Sequence, residues 1–272
     1  MISNRSLFLG ALVFATIGIL TAVIFLTQPG FDLDVAALFA DGTDGFALRH
    51  HAIPKFFNEL INLLALLGAL GFIAGWTLAH RMRMAIAGLW ARQYAFLLTS
   101  LIVGPGLVAN ALFKENWGRA RPRQITEFGG TAEFSPPLVM TDQCASNCSF
   151  VSGDASMGFF FVAVAMVAPK RYRKASLIAA LLFGSFIGFM RIIQGAHFLS
   201  DVIFAGVFVG LSIILLYRLM LTPWTPPAGE TPAPLSHQLG LGGKNVVQKP
   251  EGRSRLWMIF RAKPQDLNVK ED

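Results

Sequence analysis

Apolar runs of about twenty residues alternate with short polar stretches along most of this chain. The runs at 7–27, 60–79, 93–113, 152–168, 176–192 and 199–221 predict six transmembrane helices. A hydrocarbon core of about 30 Å needs roughly twenty helical residues to cross it. The run at 152–168 is somewhat short. Gly104-Pro105-Gly106 interrupts the third run, a break that membrane helices tolerate when neighbours satisfy the freed carbonyls. The first run is long and no small-residue cleavage site follows it, so it reads as an uncleaved helix rather than a signal peptide. Between the first two runs, DLDVAALFADG predicts a short amphipathic helix on the membrane surface, bracketed by Pro29-Gly30 and Gly42. The fold class expected is all-α: a polytopic six-helix bundle over residues 1–222. Residues 223–272 carry several prolines and glycines and few apolar runs, which predicts a mostly disordered basic tail. Within that tail RLWMIFRAK either touches the inner leaflet or is simply solvated.

Composition supports the membrane assignment. The chain is 54% hydrophobic and only 14% charged, against about 25% charged in a soluble domain. Its net charge of +7 would suggest nucleic acid in a soluble protein. Here the basic residues sit mostly in short loops and the tail, where the positive-inside rule accounts for them. Arg81, Arg83 and Arg92 follow the second run, and Lys170, Arg171, Arg173 and Lys174 follow the fourth. The loop after the first run is net acidic, with Asp32, Asp34, Asp41, Asp44 and Glu59 against Arg49 and Lys55. In the loop after the third, Lys114, Arg119, Arg121 and Arg123 are balanced by Glu115, Glu127, Glu133 and Asp142. The expected topology has both termini in the cytoplasm and the loops after the first, third and fifth runs outside, in the periplasm of a bacterium. Gly184 and Gly188, and Gly206 and Gly210, are expected to let the fifth and sixth helices approach closely.

Three polar sets fall on that outer side. KENWGRARP presents Lys114, a mobile point charge, and Arg121, a planar fork for two phosphate oxygens; interfacial headgroup anchors would look the same. Ser152-Gly153 stands at the mouth of the fourth helix, where a hydroxyl and an amide would meet an anion, or where Ser152 only caps. RIIQGAHFLSD places His197 and Asp201 four apart, on one face if the sixth helix starts near His197, with Arg191 a short turn before. A carboxylate behind an imidazole fixes its tautomer and stabilises the imidazolium, though such a pair also serves as packing glue.

Taken together, K-x6-R-P, S-G and R-x5-H-x3-D resemble the type 2 phosphatidic acid phosphatase family over residues 114–201. The resemblance implies that Lys114, Arg121, Ser152, Gly153 and Arg191 bind the substrate phosphate. It implies further that His197 is the nucleophile of a phospho-histidine intermediate and Asp201 its orienter. No cofactor and no metal are implied. The partner is a lipid phosphate in the membrane. The family has His after Ser-Gly, as leaving-group acid, where this chain has Asp154, and Ser before the third-motif Arg, where it has Met190. Asp154 replaces the acid only if it is protonated. A weak acid suits a leaving group that is already stable, such as the anomeric oxygen of lipid A 1-phosphate or a phosphate from a pyrophosphate. QPGFDLDVAALF also resembles the lipid A 1-phosphatases of the family. The alternatives are an undecaprenyl pyrophosphate phosphatase, a lipid phosphotransferase, and a non-catalytic binder of anionic lipid. His50 and His51 either supply the missing proton or form a solvated pair. Cys144 and Cys148 would bridge in an oxidising periplasm, or stay free thiols.

Overall fold

The computed structural model describes residues 2–41 and 45–224. The expectations for Gly42, Asp44 and most of the 223–272 tail therefore lie outside the described residues. Among the described residues eight α-helices follow one another: α1 (Asn4–Thr27), α2 (Gly30–Ala37), α3 (Ala52–Met82), α4 (Ala91–Leu101), α5 (Gly153–Phe159), α6 (Phe161–Val167), α7 (Arg173–Ile193) and α8 (Leu199–Met220). A π-helical segment, Ile102–Lys114, prolongs α4. Five helical stretches are long and apolar enough to cross a membrane: α1, α3, Ala91–Lys114, α7 and α8. The chain is a polytopic helical membrane protein.

Two predicted spans differ from expectation. The third is not broken at Gly104-Pro105-Gly106. Pro105 has no N–H to donate and its ring crowds a tight turn; the wider π coil accommodates it, and Asn110 Nδ2 donates to the Pro105 carbonyl at 2.8 Å. The coil therefore runs on to Lys114 and delivers that side chain to the end of the bundle. The span at 152–168 divides at Phe160 into α5 and α6, together about fifteen residues and so about 22 Å long, short of a full crossing. These short helices sit centrally, and α5 packs on α7, α8 and the π segment.

The glycines place the helices, though not all as expected. Only Gly188 lies at the α7–α8 contact, under Val202. Gly184 meets Gly158 and Phe159 of α5, Gly206 meets Phe159, and Gly210 lies under Phe14 of α1. The small residues thus seat α5 on both α7 and α8, which fixes the segment just before α5. That segment is nailed down by Phe150, fully buried among Phe113, Trp117 and Phe204. Connectivity puts the ends of the π segment and α7 and the starts of α5 and α8 at one end of the bundle. Arg81, Arg83, Lys170, Arg171, Arg173 and Lys174 lie at the other.

Candidate active site

Four backbone hydrogen bonds stitch the three polar sets together. Cys148 N donates to the Lys114 carbonyl at 3.0 Å and Ser149 N to that of Arg119 at 2.8 Å. Arg123 N donates to Gly195 O at 3.0 Å, and Ser152 N to Asp201 O at 3.3 Å. Residues distant in sequence thus share one rigid frame.

His197 lies at its centre, fully buried. Its Nδ1 is 2.7 Å from the Ser149 carbonyl, an acceptor only, so Nδ1 carries the proton and Nε2 keeps its lone pair. Nε2 is buried and has no hydrogen-bond partner among the described residues. Burial holds the imidazole pKa down at about 3; Arg121 and Arg191 add to the effect and Asp201 opposes it. The ring is neutral at neutral pH.

Asp201 is not the direct hydrogen-bond partner that the four-residue spacing suggested. The helix α8 begins at Leu199, after His197, so Asp201 stands in its first turn and its Oδ2 accepts from Phe198 N at 2.8 Å. That oxygen lies 3.8 Å from His197 Nδ1, beyond hydrogen-bond reach but close enough to favour positive charge on the ring. Ser149 Oγ also donates to it at 2.6 Å, so one residue holds both His197 and Asp201.

Two arginines, Arg121 and Arg191, lie near enough to His197 to act on its charge. Lys114, Arg121 and Arg191 lie near enough to one another and to Asp154 to feel each other's charge. Burial pulls the Arg121 pKa below the usual arginine range, and Arg191 adds to this. Arg123 is brought to about 10 by burial and by the neighbouring Arg121, Arg49 and Arg191. Lys114, Arg121, Arg123 and Arg191 thus form a local cluster of positive charge, in which Asp154 is ion-paired with Arg191. Gly153 leaves room for its polar neighbours: a Cβ there would come within 2.8 Å of Asn110 Oδ1 and 3.1 Å of Lys114 Nζ and would push those ends aside. Ser152 is fully buried and caps α5, its Oγ accepting from Ala155 N at 3.4 Å.

Asp154 Oδ2 lies 2.9 Å from Arg191 Nε, an ion pair by distance although the N–H is not aligned for a hydrogen bond. Arg191 NH1 donates to Gln194 Oε1 at 2.7 Å, and the same oxygen accepts from Asn58 Nδ2 at 2.9 Å. His50 and His51 are exposed, and His51 Nδ1 accepts from Ile53 N at the start of α3.

Several residues escaped the sequence reading. Arg119, counted there only as a loop charge, is fully buried. It donates to Ser135 O (2.8 Å), Ser200 Oγ (2.9 Å), Asp201 Oδ1 (2.5 Å) and Asp32 Oδ2 (2.8 Å), with its guanidinium 4.3 Å from the Phe198 ring centroid. Asp32 likewise was counted only among the acids of the loop after the first run. It is buried in α2, accepts from Ser200 N at 3.0 Å and from Ser200 Oγ, and burial raises its pKa. The helix α2 is therefore pinned to the site rather than lying loose on a membrane surface. Asn147 accepts three contacts from Arg121, and Cys144 and Cys148, bonded with Cα atoms 5.6 Å apart, close a ring around it.

Residues 93–225 match the family model of the PAP2 superfamily. A lipid A 4'-phosphatase of Francisella tularensis subsp. novicida (strain U112) is 37% identical over 209 residues, covering 73% of this chain and 90% of that protein. A lipid A 4'-phosphatase of Rhizobium leguminosarum is 32% identical over 197 residues, 66% of this chain and 83% of the relative. A lipid A 1-phosphatase of Rhizobium etli (strain ATCC 51251 / DSM 11541 / JCM 21823 / NBRC 15573 / CFN 42) is 35% identical over 150 residues, 53% of this chain and 60% of the relative. No solved structure matches the chain.

Proposed function

The chain belongs to the PAP2 superfamily and is a membrane lipid phosphatase; from that premise we propose that it removes a phosphate from lipid A through a phospho-histidine on His197. The observation that carries the proposal is the bare, buried Nε2 of His197 close to Arg121 and Arg191, which Lys114 neighbours in turn.

In this reading the three cations and the Ser152-Gly153 turn hold the phosphate. Arg121 offers NH1 and Arg191 offers NH2, the amino groups that have no partner among the described residues. The Nε2 lone pair attacks phosphorus in line as the bond to the sugar oxygen breaks. The ring becomes cationic while Nδ1–H stays on the Ser149 carbonyl, and Asp201 offsets the new charge. Asp154 is committed to Arg191, so the departing oxygen takes its proton from water. Water then attacks the phospho-histidine, releasing phosphate and restoring neutral His197.

The favoured position on the sugar is the 4'-phosphate, because the likeness to proteins named for it extends over more of the chain. The 1-phosphate is the second reading: with no proton on Asp154, the more stable anomeric leaving group gains most. The site is assigned to the periplasmic face of the bacterial inner membrane, since the opposite end of the bundle carries the dense basic turns.

Purified full-length protein is expected to release phosphate from lipid A, with mass spectrometry of the product giving the position. His197→Ala is expected to release none. Acid quenching of the wild type destroys a phospho-histidine while alkaline quenching preserves it. Undiminished release by His197→Ala would end the proposal.

A further inference from the structure

The cation motif alone does not explain how Arg121 stays aimed into the site. Arg191 and Lys114 are like-charged neighbours that repel it; Asp154 and Asp201 attract it, but no carboxylate among the described residues is within ion-pair distance of it. The hydrogen bonds that fix its guanidinium all go to a single residue. Arg121 Nε and NH2 reach the Asn147 carbonyl at 3.2 and 2.7 Å, and NH2 also reaches Asn147 Oδ1 at 2.8 Å. Hydrogen bonds from a charged donor are roughly twice as strong as neutral ones, so this set competes with the repulsion. It leaves NH1 for a ligand.

The grip depends on Asn147 having a left-handed backbone, φ +51°. Asn tolerates that region better than other residues with a Cβ. The conformation sits inside the five-residue ring closed by Cys144 and Cys148. The same ring anchors Lys114, through Cys148 N and the Lys114 carbonyl. By contrast, His197 and Asp201 are held by Ser149, beyond the ring and locked beside the buried Phe150.

We propose that Asn147 is the positioning residue for Arg121, and that the Cys144–Cys148 ring maintains it, so that opening the bridge weakens phosphate binding and leaves the nucleophile in place. This rests on the reading of Arg121 as a phosphate ligand. Reduction by a dithiol leaves Cys144 and Cys148 as thiols and the dithiol as its own cyclic disulfide. The freed loop then samples many backbone states, and the left-handed one at Asn147 is no longer enforced.

Tungstate, a phosphate-shaped oxyanion that thiols do not reduce, reports the site without turnover. Its Kd is measured by calorimetry on full-length protein in detergent, oxidised and reduced, alongside kcat and KM for lipid A. Reduction of the wild type is expected to raise the tungstate Kd and the KM about tenfold, roughly the loss of one charge-assisted contact, with kcat within about twofold. Asn147→Gly keeps the backbone but loses Oδ1, and is expected to give a smaller rise. In an Arg121→Lys background, reduction is expected to raise the Kd clearly less than in the wild type, because lysine cannot make the three contacts and only the Cys148 N–Lys114 O bond remains to be disturbed. An unchanged Kd in the reduced wild type overturns the proposal. So does an equal loss in both backgrounds, which would mark a purely structural loop. If Arg121→Lys binds tungstate like the wild type while oxidised, the phosphate-ligand reading falls, and the proposal with it.

Discussion

Replacing Arg119 by methionine is expected to destabilise the protein far more than replacing any cation that faces the phosphate. The side chain is fully buried and ties together four partners from three parts of the chain: Asp32 in α2, Ser135 in the loop, and Ser200 and Asp201 in α8. Methionine fills a similar volume, so the cost is electrostatic rather than a cavity. It leaves Asp32 and Asp201, both fully buried, without their common counter-ion. Removing one member of a buried ion pair costs about 3–5 kcal/mol. Loss of the contact with Phe198 adds up to about 2 kcal/mol. Against total stabilities of roughly 5–15 kcal/mol, that is a large fraction. At about 2–4 °C per kcal/mol for a chain of this size, the melting temperature should fall by roughly 10 °C or more.

The assay is thermal unfolding in detergent followed by tryptophan fluorescence, with Arg119→Met, Arg121→Ala and the wild type side by side. Arg121→Ala should melt near the wild type while losing phosphate release. Adding Asp32→Asn to Arg119→Met removes one of the two bare charges and should recover about half of the loss. If Arg119→Met melts within about 2 °C of the wild type, the triad does not hold α2 and α8 together. If Asp32→Asn gives no recovery, the damage is steric and the charge argument is wrong.

The pKa of His197 near 3 keeps the ring neutral, so kcat/KM should hold down to about pH 4, and half-loss near pH 6.5 would contradict the buried neutral nucleophile. The same group makes stability pH-dependent: below its unfolded value near 6.5 only the unfolded ring takes up a proton, so stability should fall by about 1.4 kcal/mol per pH unit as pH drops from 6.5 towards 3. The raised Asp32 acts in the opposite sense as it protonates, and Asp32→Asn should therefore steepen the loss measured by melting in that acid range. At the leaving-group position, Asp154→Asn should lower kcat on lipid A by less than about threefold, while Asp154→His should raise turnover of phosphatidic acid relative to lipid A by supplying an acid. A loss of a hundredfold or more in Asp154→Asn would show that Asp154 donates a proton despite its pairing with Arg191.

The sequence exposed some of this design and hid the rest for identifiable reasons. Five long spans followed from apolar length alone, because lipid forces the backbone into helices. Lys114, Arg121, Ser152, Gly153, Arg191 and His197 could be proposed as a set because their spacing is a pattern that recurs, and the fold brings the three polar sets into one frame. Arg119 and Arg121 stand two residues apart in one basic run, and nothing local distinguishes them. One is buried between two carboxylates and the other faces the site, because the partners that decide, Asp32 and Asn147, lie 87 and 26 residues away. The role of Ser149 was hidden for a different reason: it uses its carbonyl, which every residue has, to fix the His197 tautomer. The i,i+4 rule failed at Asp201 because it assumes that a helix contains both residues, and α8 begins two residues too late. What that displacement achieves is mechanical. With its carboxylate held by Arg119, Ser149 and Phe198 N, Asp201 cannot move to take the proton from Nδ1. It acts on His197 through space alone, so exchanging it for Asn should slow phosphorylation of the ring without moving the ring itself.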